Sequence, residues 1–372
     1  MTRVPGALRS GAGAAIAAAL LFGASTPLAK LLLDRVDAWL LAGLLYFGAG
    51  LGLSAVWGIT RLRVPRGRAE AAIGGRQAAI LGCAIVLGGV VGPVSLMFGL
   101  SVTTAAAASL LLNLEGAFTA LLAWFVFKEG RDRRIVLGMA LVFLGAVILS
   151  AGQGISRPGL VGTGLITLAC LCWAADNNLT RLVSLHDPVQ ISALKGLCAG
   201  AVNLVLALGL RHGEWPSLAP ALAGGVVGFL GYGVSLVLYV VALRHIGAGR
   251  TAAYFSLAPF MGVVIALALL GEPASPIYLV AAIPMALGLW LHVSERHEHE
   301  HVHERLVHTH LHVHDEHHRH GHGPRDPAGE PHTHEHVHQP LRHSHPHYPD
   351  LHHTHGHPKG GKGGPGGSGQ ED

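Results

Sequence analysis

Charge is scarce in this chain. Only 13% of its 372 residues are Asp, Glu, Lys or Arg, where a soluble domain carries about 25%. A composition this poor in charge excludes an ordinary water-soluble globule. Cysteine is scarce too. Cys83, Cys170, Cys172 and Cys198 all fall in apolar runs and read as small buried core residues rather than disulfides or metal ligands. The CLC stretch at Cys170–Cys172 puts its thiols on different faces of a helix, a poor metal site. No HExxH falls within residues 1–293, and no GK[ST] phosphate loop or Gly-x-Ser-x-Gly elbow occurs, so nothing in the apolar part points to an enzyme or to an ATP-driven pump on this chain. The formal net charge of +4 is an average over two unlike parts and is no nucleic-acid signal.

What the chain has in quantity is apolar residues, 50% of the whole, and 51 glycines. Residues 1–293 hold 19 Lys/Arg, 10 Asp/Glu and four of the 27 histidines; residues 294–372 hold 7 Lys/Arg, 12 Asp/Glu and the other 23. A membrane-spanning helix needs about 20 mostly apolar residues. Ten stretches qualify, at about 14–33, 38–59, 77–100, 104–127, 135–152, 159–181, 188–209, 218–243, 248–270 and 275–293. The third and fourth are divided only by a very short turn in LSVTTAAA. The N-terminal run resembles a signal peptide, but its apolar stretch continues through PLAKLLL, so it reads as an uncleaved first helix. Ten crossings with the N-terminus inside put 14 Lys/Arg on inner connections and four (Lys30, Arg35, Arg157, Arg211) outside. The positive-inside rule then places both termini in the cytoplasm. Trp39, Trp57, Trp215, Tyr278 and Trp290 lie near helix ends, as interfacial anchors do.

The helices fall into two copies. LFGASTPLAK (Leu21–Lys30) aligns with CWAADNNLTR (Cys172–Arg181), and LNLEGAFTALLAWFVFKE (Leu112–Glu129) with FSLAPFMGVVIALALLGE (Phe255–Glu272). GGVVG at Gly88–Gly92 and Gly224–Gly228 recurs at a different offset and counts for little; its GxxxG pairs permit close helix approach. Five helices per copy is odd, so the copies cross the membrane in opposite senses, a transporter architecture with substrate bound near the midplane. The expected fold is an all-α membrane protein: ten transmembrane helices as two inverted five-helix repeats, at 12–152 and 159–293, followed by a disordered tail at 294–372.

On FGASTPLAK, LEGAFTALLAWFVFKE and LAPFMGVVIALALLGE, residues 12–293 resemble the drug/metabolite transporter superfamily, in particular its ten-helix EamA-type exporters with two EamA repeats. In that family the helix turn is usually Leu-Glu-Pro or Leu-Ala-Pro with a terminal Gly-Glu. Here Gly116 stands in place of the first proline and Lys128 precedes Glu129. The resemblance implies export of amino acids, other small metabolites or toxic compounds.

An ionisable side chain at mid-membrane costs about 2.5–3.5 kcal/mol on insertion scales and is a functional candidate by default. Glu115 lies near the middle of the fourth helix, a candidate for proton or cation coupling. Asp176 and Lys195, in the sixth and seventh, lie at similar depth and can pair, as a path or as a structural salt bridge. Glu129 and Glu272 end their helices near water and read as structural. Asn177 and Asn178 extend the polar run of Asp176, and the three cannot share one helix face. Asn113 and Asn203 are further uncharged candidates. Pro27 and Asn178 hold matching positions where a broken helix would expose carbonyls. Trp173, Tyr232, Tyr239 and Tyr254 line a path or simply pack.

After Val293 the tail is rich in His, Gly, Pro and acidic residues, too polar to fold alone. His-x-His recurs at His297, His299, His301 and His303; at His308, His310, His312 and His314; at His320 and His322; at His332, His334, His336 and His338; at His343, His345 and His347; and at His355 and His357. Alternate residues of an extended chain share a side, and neutral imidazole suits Zn, Ni, Co and Cu(II). No cofactor is required; a divalent transition metal is the expected ligand of the tail. The expected partners are the lipid bilayer of a bacterial-type inner membrane, a small-molecule substrate and metal ions, with no nucleic acid. A homodimer is one option for assembly. Three functions follow: a secondary exporter of a small metabolite or amino acid with the tail as metal buffer or sensor, a divalent-metal transporter whose tail collects the ion, and a membrane-anchored metal store. The bundle favours the first, because His186, His212, His245 and His292 all sit at or near helix ends.

Overall fold

The computed structural model describes residues 11–63, 75–127, 133–152, 157–182, 188–210, 215–293, 297–303, 306–312, 332–338 and 341–347. The bundle runs α1 (Gly11–Leu33), α2 (Ala38–Arg63), α3 (Gly75–Ala84), a π-helical segment (Ile85–Val91), α4 (Gly92–Ser101), α5 (Ala105–Leu111), α6 (Leu114–Phe127), α7 (Arg133–Gly152), α8 (Arg157–Arg181) and α9 (Pro188–Leu210). It continues with α10 (Leu218–Gly228), a second π-helical segment (Phe229–Val234), α11 (Ser235–Phe255), α12 (Ala258–Leu270) and α13 (Pro276–Val293). Among the described residues nine helical stretches are long and apolar enough to cross a membrane, and Pro276–His292 is a shorter tenth. Large apolar side chains such as Val147, Val205 and Leu279 lie more than 60% exposed on the outside. Contiguous apolar surface of this kind is the face that lipid covers.

The turn between α4 and α5 falls in LSVTTAAA as expected. Thr104 is extended there and its hydroxyl accepts from Ala107 N at 3.2 Å, capping α5. Glu272 takes the two preceding donors, Ala105 N at 2.7 Å and Ala106 N at 2.9 Å. Lys30 Nζ donates to the last carbonyls of α4, Leu100 O at 2.6 Å and Ser101 O at 3.3 Å. One residue from each repeat thus closes a helix end at this turn, Lys30 the end of α4 and Glu272 the start of α5. α11 runs on through 243–250, where a break is expected. That stretch contains no proline and no Ser, Thr, Asn or Asp to stop one helix or start the next.

The copies are related in space as well as in sequence. Gly88 lies against the side chain of Asp176, and Gly231 against that of Ser25. Asp176 follows Ser25 by 151 positions, and Gly231 follows Gly88 by 143, the offsets of the two sequence matches. The π-helical segments, starting at Ile85 and Phe229, nearly share the second offset; the two GGVVG stretches do not, so they are not structural equivalents. At the crossing of α2 and α9, a Cβ on Gly50 would collide with the Leu197 backbone, and one on Gly200 with the Phe47 backbone. This exchange of partners is what a two-fold axis through the crossing requires.

The first π-helical segment leaves carbonyls that are satisfied from outside. Gly92 N donates to Leu87 O, and Pro93, one residue on, has no N–H to offer Gly89 O or Gly88 O. Gly89 O accepts instead from Asn203 Nδ2 at 2.9 Å, and Gly88 O from Trp173 Nε1 at 2.8 Å and Tyr46 OH at 2.9 Å. Asn203 is therefore a fully buried clasp between helices rather than a path-lining residue.

Several expectations change. The helix breaks lie not at Pro27 and Asn178, through which α1 and α8 continue, but at Leu112–Asn113 and Ser256–Leu257. Asn178 Nδ2 donates to Ala174 O at 2.9 Å, one turn back, and so laces α8 together. Cys83 is exposed, while Cys170 and Cys172 are buried; Cys83 sits on the outer side of α3. Tyr278 is buried and its hydroxyl meets Thr104 Oγ1 at 3.1 Å, so it is a packing residue. Trp215 and Trp290 are largely exposed, as anchors are. In the tail, four described segments pair their backbones as strands: β1 (His297–His303) with β4 (Leu341–His347), and β2 (Leu306–His312) with β3 (His332–His338), both antiparallel. Strict His-x-His alternation has the period of two that a strand needs.

Candidate functional site

The fourth crossing is not one helix but two half-helices. Asn113 N donates to Leu110 O at 3.1 Å and Glu115 N to Leu112 O at 3.1 Å, the tightened bonding of a helix end and a new start. Asn113 Nδ2 adds a bond to Leu110 O at 2.9 Å, and Cys170 Sγ approaches Leu111 O at 3.6 Å. Side chains thus stand in for the missing backbone donors. The break in the ninth crossing is built alike, with Leu257 N on Tyr254 O at 3.2 Å and Ser256 Oγ on Ala253 O at 2.7 Å.

The break in the fourth crossing places Glu115 in the first turn of α6. The positive end of the α6 dipole favours a carboxylate there. One carboxylate oxygen accepts from Asn177 Nδ2 at 2.9 Å. Thr119, one turn further on, lies 3.5 Å from the same amide. Gly116, the neighbour of Glu115, is exposed, and a Cβ on it would meet nothing within 4 Å, so the space beside Gly116 is open, while Glu115 itself is half-buried. Asn177 is exposed, whereas Asp176 and Asn178 are buried. The three consecutive polar residues therefore divide between open space and the helix interfaces, as helical geometry demands.

Asp176 and Lys195 do pair. Lys195 Nζ lies 2.5 Å from Asp176 Oδ1, and the two side chains are 11% (Asp) and 17% (Lys) exposed. Thr180 joins them, donating to Asp176 Oδ1 at 2.8 Å and accepting from Lys195 Nζ at 3.1 Å. Two charges so far from water would be costly singly; together, with a hydroxyl bonded to both, they satisfy one another. Trp173 is buried and, through Gly88 O, is part of the π-segment clasp. Tyr232 is half-buried in an aromatic row. Its ring centroid lies 5.7 Å from Tyr46 and 5.8 Å, edge-on, from Phe22; Phe22 continues to Phe255 at 5.4 Å and Phe255 to Tyr239 at 4.9 Å.

The structure thus gathers Glu115 with Asn177, and Asp176 with Lys195, and leaves Trp173 and Asn178 as helix clasps. It adds Tyr46, Thr119 and Thr180. The last two carry a sequence signal, since each lies four residues after a carboxylate and so shares its helix face; Tyr46 carries none. Among the residues whose side chains are described, all within the helical bundle, no three of His, Cys, Asp and Glu gather as metal ligands. The candidate metal histidines lie elsewhere. For those in β1–β4 only the backbone is described, and His314, His320, His322, His355 and His357 lie outside the described residues, as does Glu129.

The sequence model of the EamA-like transporter family matches residues 9–151 and again residues 160–294. An uncharacterized transporter of Methanothermobacter thermautotrophicus is 32% identical over 289 residues, 74% of this chain and 84% of that protein. A probable amino-acid metabolite efflux pump of Salmonella typhimurium is 28% identical over 205 residues, 50% of this chain and 66% of its own length. A protein of known crystal structure, 18% identical, superposes with a TM-score of 0.56 over 76% of this chain and 97% of its own; this likeness concerns the fold alone.

Proposed function

Because the chain belongs to the EamA-like transporter family, we propose that it is a secondary transporter that exports a small amine-bearing metabolite of the amino-acid class. One observation carries the reading: a carboxylate, Glu115, stands at the start of a half-helix in mid-span, held by Asn177 and bordered by open space at Gly116. A substrate ammonium group entering that space would find the Glu115 carboxylate beside a helix break, and broken helices are where inverted-repeat transporters build their midplane sites. The aromatic row through Tyr232 and Tyr46 offers apolar contact to the remainder of the substrate. Equivalent breaks in the fourth and ninth crossings supply two matched elements that can alternate in opening the path. The efflux-pump name of the Salmonella relative supports the substrate class and the direction.

In this reading the protein lies in the plasma membrane with both termini cytoplasmic, as the excess of Lys/Arg on the inner connections favours. The tail is then a cytoplasmic buffer or sensor of divalent transition metal. The test is efflux of a panel of radiolabelled amino acids and amines from proteoliposomes. Wild-type protein is expected to move at least one of them and Glu115→Gln none, with both proteins equally monodisperse. Undiminished transport by Glu115→Gln would remove the basis of the reading.

A further inference from the structure

The pairing of the tail strands specifies more than the composition of the tail. In the ladder of β1 with β4, the opposed residues include His297 with His347, His299 with His345 and His301 with His343. In the ladder of β2 with β3 they include His308 with His336, His310 with His334 and His312 with His332. Each ladder therefore sets three histidine pairs in a row at alternate register positions, and alternate positions of a strand share a face. The intervening positions hold other residues: Glu300 opposite Ser344 in one ladder, Thr309 opposite Glu335 in the other. Slipping either ladder by one residue would move the histidines of the two strands to opposite faces. Of the two parities open to such strands, the fold has the one that sets His against His.

We propose that each ladder is a four-histidine site for a zinc-class divalent cation, made of two adjacent cross-strand pairs. This rests on the reading of the tail as a metal binder and adds its sites and stoichiometry. Opposed residues of an antiparallel pair have Cβ atoms about 4.5–5.5 Å apart, and successive positions on one face are about 7 Å apart along the strand. Two adjacent pairs thus stand at the corners of a small rectangle. Imidazole nitrogens bind Zn at about 2.0–2.1 Å, four to an ion in a closed site, and four neutral donors suit a borderline cation. Three pairs make only one complete set of four, so each ladder takes one ion. Both ways of choosing two adjacent pairs use the middle one, His299 with His345 or His310 with His334. The middle pairs are therefore indispensable and the flanking pairs are not. Binding would also fix the register, because only the observed parity assembles the set.

The experiment uses the full-length protein in detergent, with Co(II) as the spectroscopic probe and Zn(II) as competitor. Tetrahedral Co(II) absorbs far more strongly in the visible than octahedral Co(II), so the intensity reports a closed four-ligand site. The wild type is expected to bind two ions tightly with the tetrahedral signature. The variant His299→Ala/His345→Ala is expected to retain one. Adding His310→Ala/His334→Ala is expected to abolish the signature and weaken binding at least about tenfold, the scale on which altered metal surroundings act. The control His320→Ala/His322→Ala/His355→Ala/His357→Ala loses as many histidines and is expected to keep both ions. If the middle-pair variant and the control weaken equally, binding follows histidine number and the ladder sites are refuted. If the wild type binds no more metal than a chain ending at Val293, the reading of the tail as a metal binder fails instead. Membrane insertion and monodispersity of every variant separate lost sites from lost protein.

Discussion

Asp176 and Lys195 illustrate how a residue's partner decides what it does. The other repeat carries Ser25 where this one has Asp176, and Ser25 turns inward to Phe22 O at 2.6 Å. The charge pair is thus a departure from the two-fold pattern, confined to one half of the molecule. Removing one member leaves the other charge without its mate in a largely dry interface. Asp176→Asn and Lys195→Met are each expected to lower the thermal midpoint in detergent more than the double variant does. The single losses should stay below the roughly 3–5 kcal/mol of a fully buried pair, because both side chains keep some exposure. Asn203 presents a simpler case. Asn203→Ala leaves Gly89 O without its donor in a fully buried place, at an expected cost of about 1–3 kcal/mol, read as a lowered melting temperature.

Interruptions matter more than continuity among the elements. The third crossing is π-helical at Ile85–Val91, Pro93 beside it withholds an N–H, and three side chains from other helices take up the freed carbonyls. Pro93→Ala restores that donor and allows an ordinary α-helical ladder. The expected result is reduced transport with an unchanged or raised thermal midpoint, since the restored N–H takes up Gly89 O, which Asn203 now serves, so the helix gains a bond as the clasp is lost. Efflux from proteoliposomes, set beside a melting curve, checks this. π-segments of this kind are frequent at functional sites. Glu272 shows the opposite use of an element end. Its carboxylate closes the start of α5 from across the repeat boundary, and so ties the two halves at one membrane face. Glu272→Gln keeps the shape but weakens two charge-assisted bonds, and is expected to loosen that face, seen as faster labelling of a cysteine placed at Thr104.

The whole molecule is organised about the crossing of α2 and α9, where glycine lets two backbones touch. Gly200→Ala would drive a methyl group into the backbone of Phe47, at an expected cost of about 1–3 kcal/mol of overpacking. Gly164→Ala, which meets nothing within 4 Å, is the control and should leave the melting temperature unchanged or raised. Much of the architecture was legible in the sequence. Hydropathy alone delivers the ten crossings, because lipid obliges each segment to satisfy its own backbone. The aligned helix ends deliver the duplication, and five helices per copy its inversion. The ionisable residues Glu115, Asp176 and Lys195 stand out for the cost of burying charge. The tertiary structure decided the rest. It put the breaks at Asn113 and Ser256 rather than at Pro27 and Asn178, through which α1 and α8 continue. It made Trp173 and Asn203 clasps, because the carbonyls they serve are freed by a proline on another helix. It also set histidine opposite histidine in the tail: alternation along a strand is local and written in the sequence, but the choice of partner strand and parity is a long-range contact that no single segment encodes.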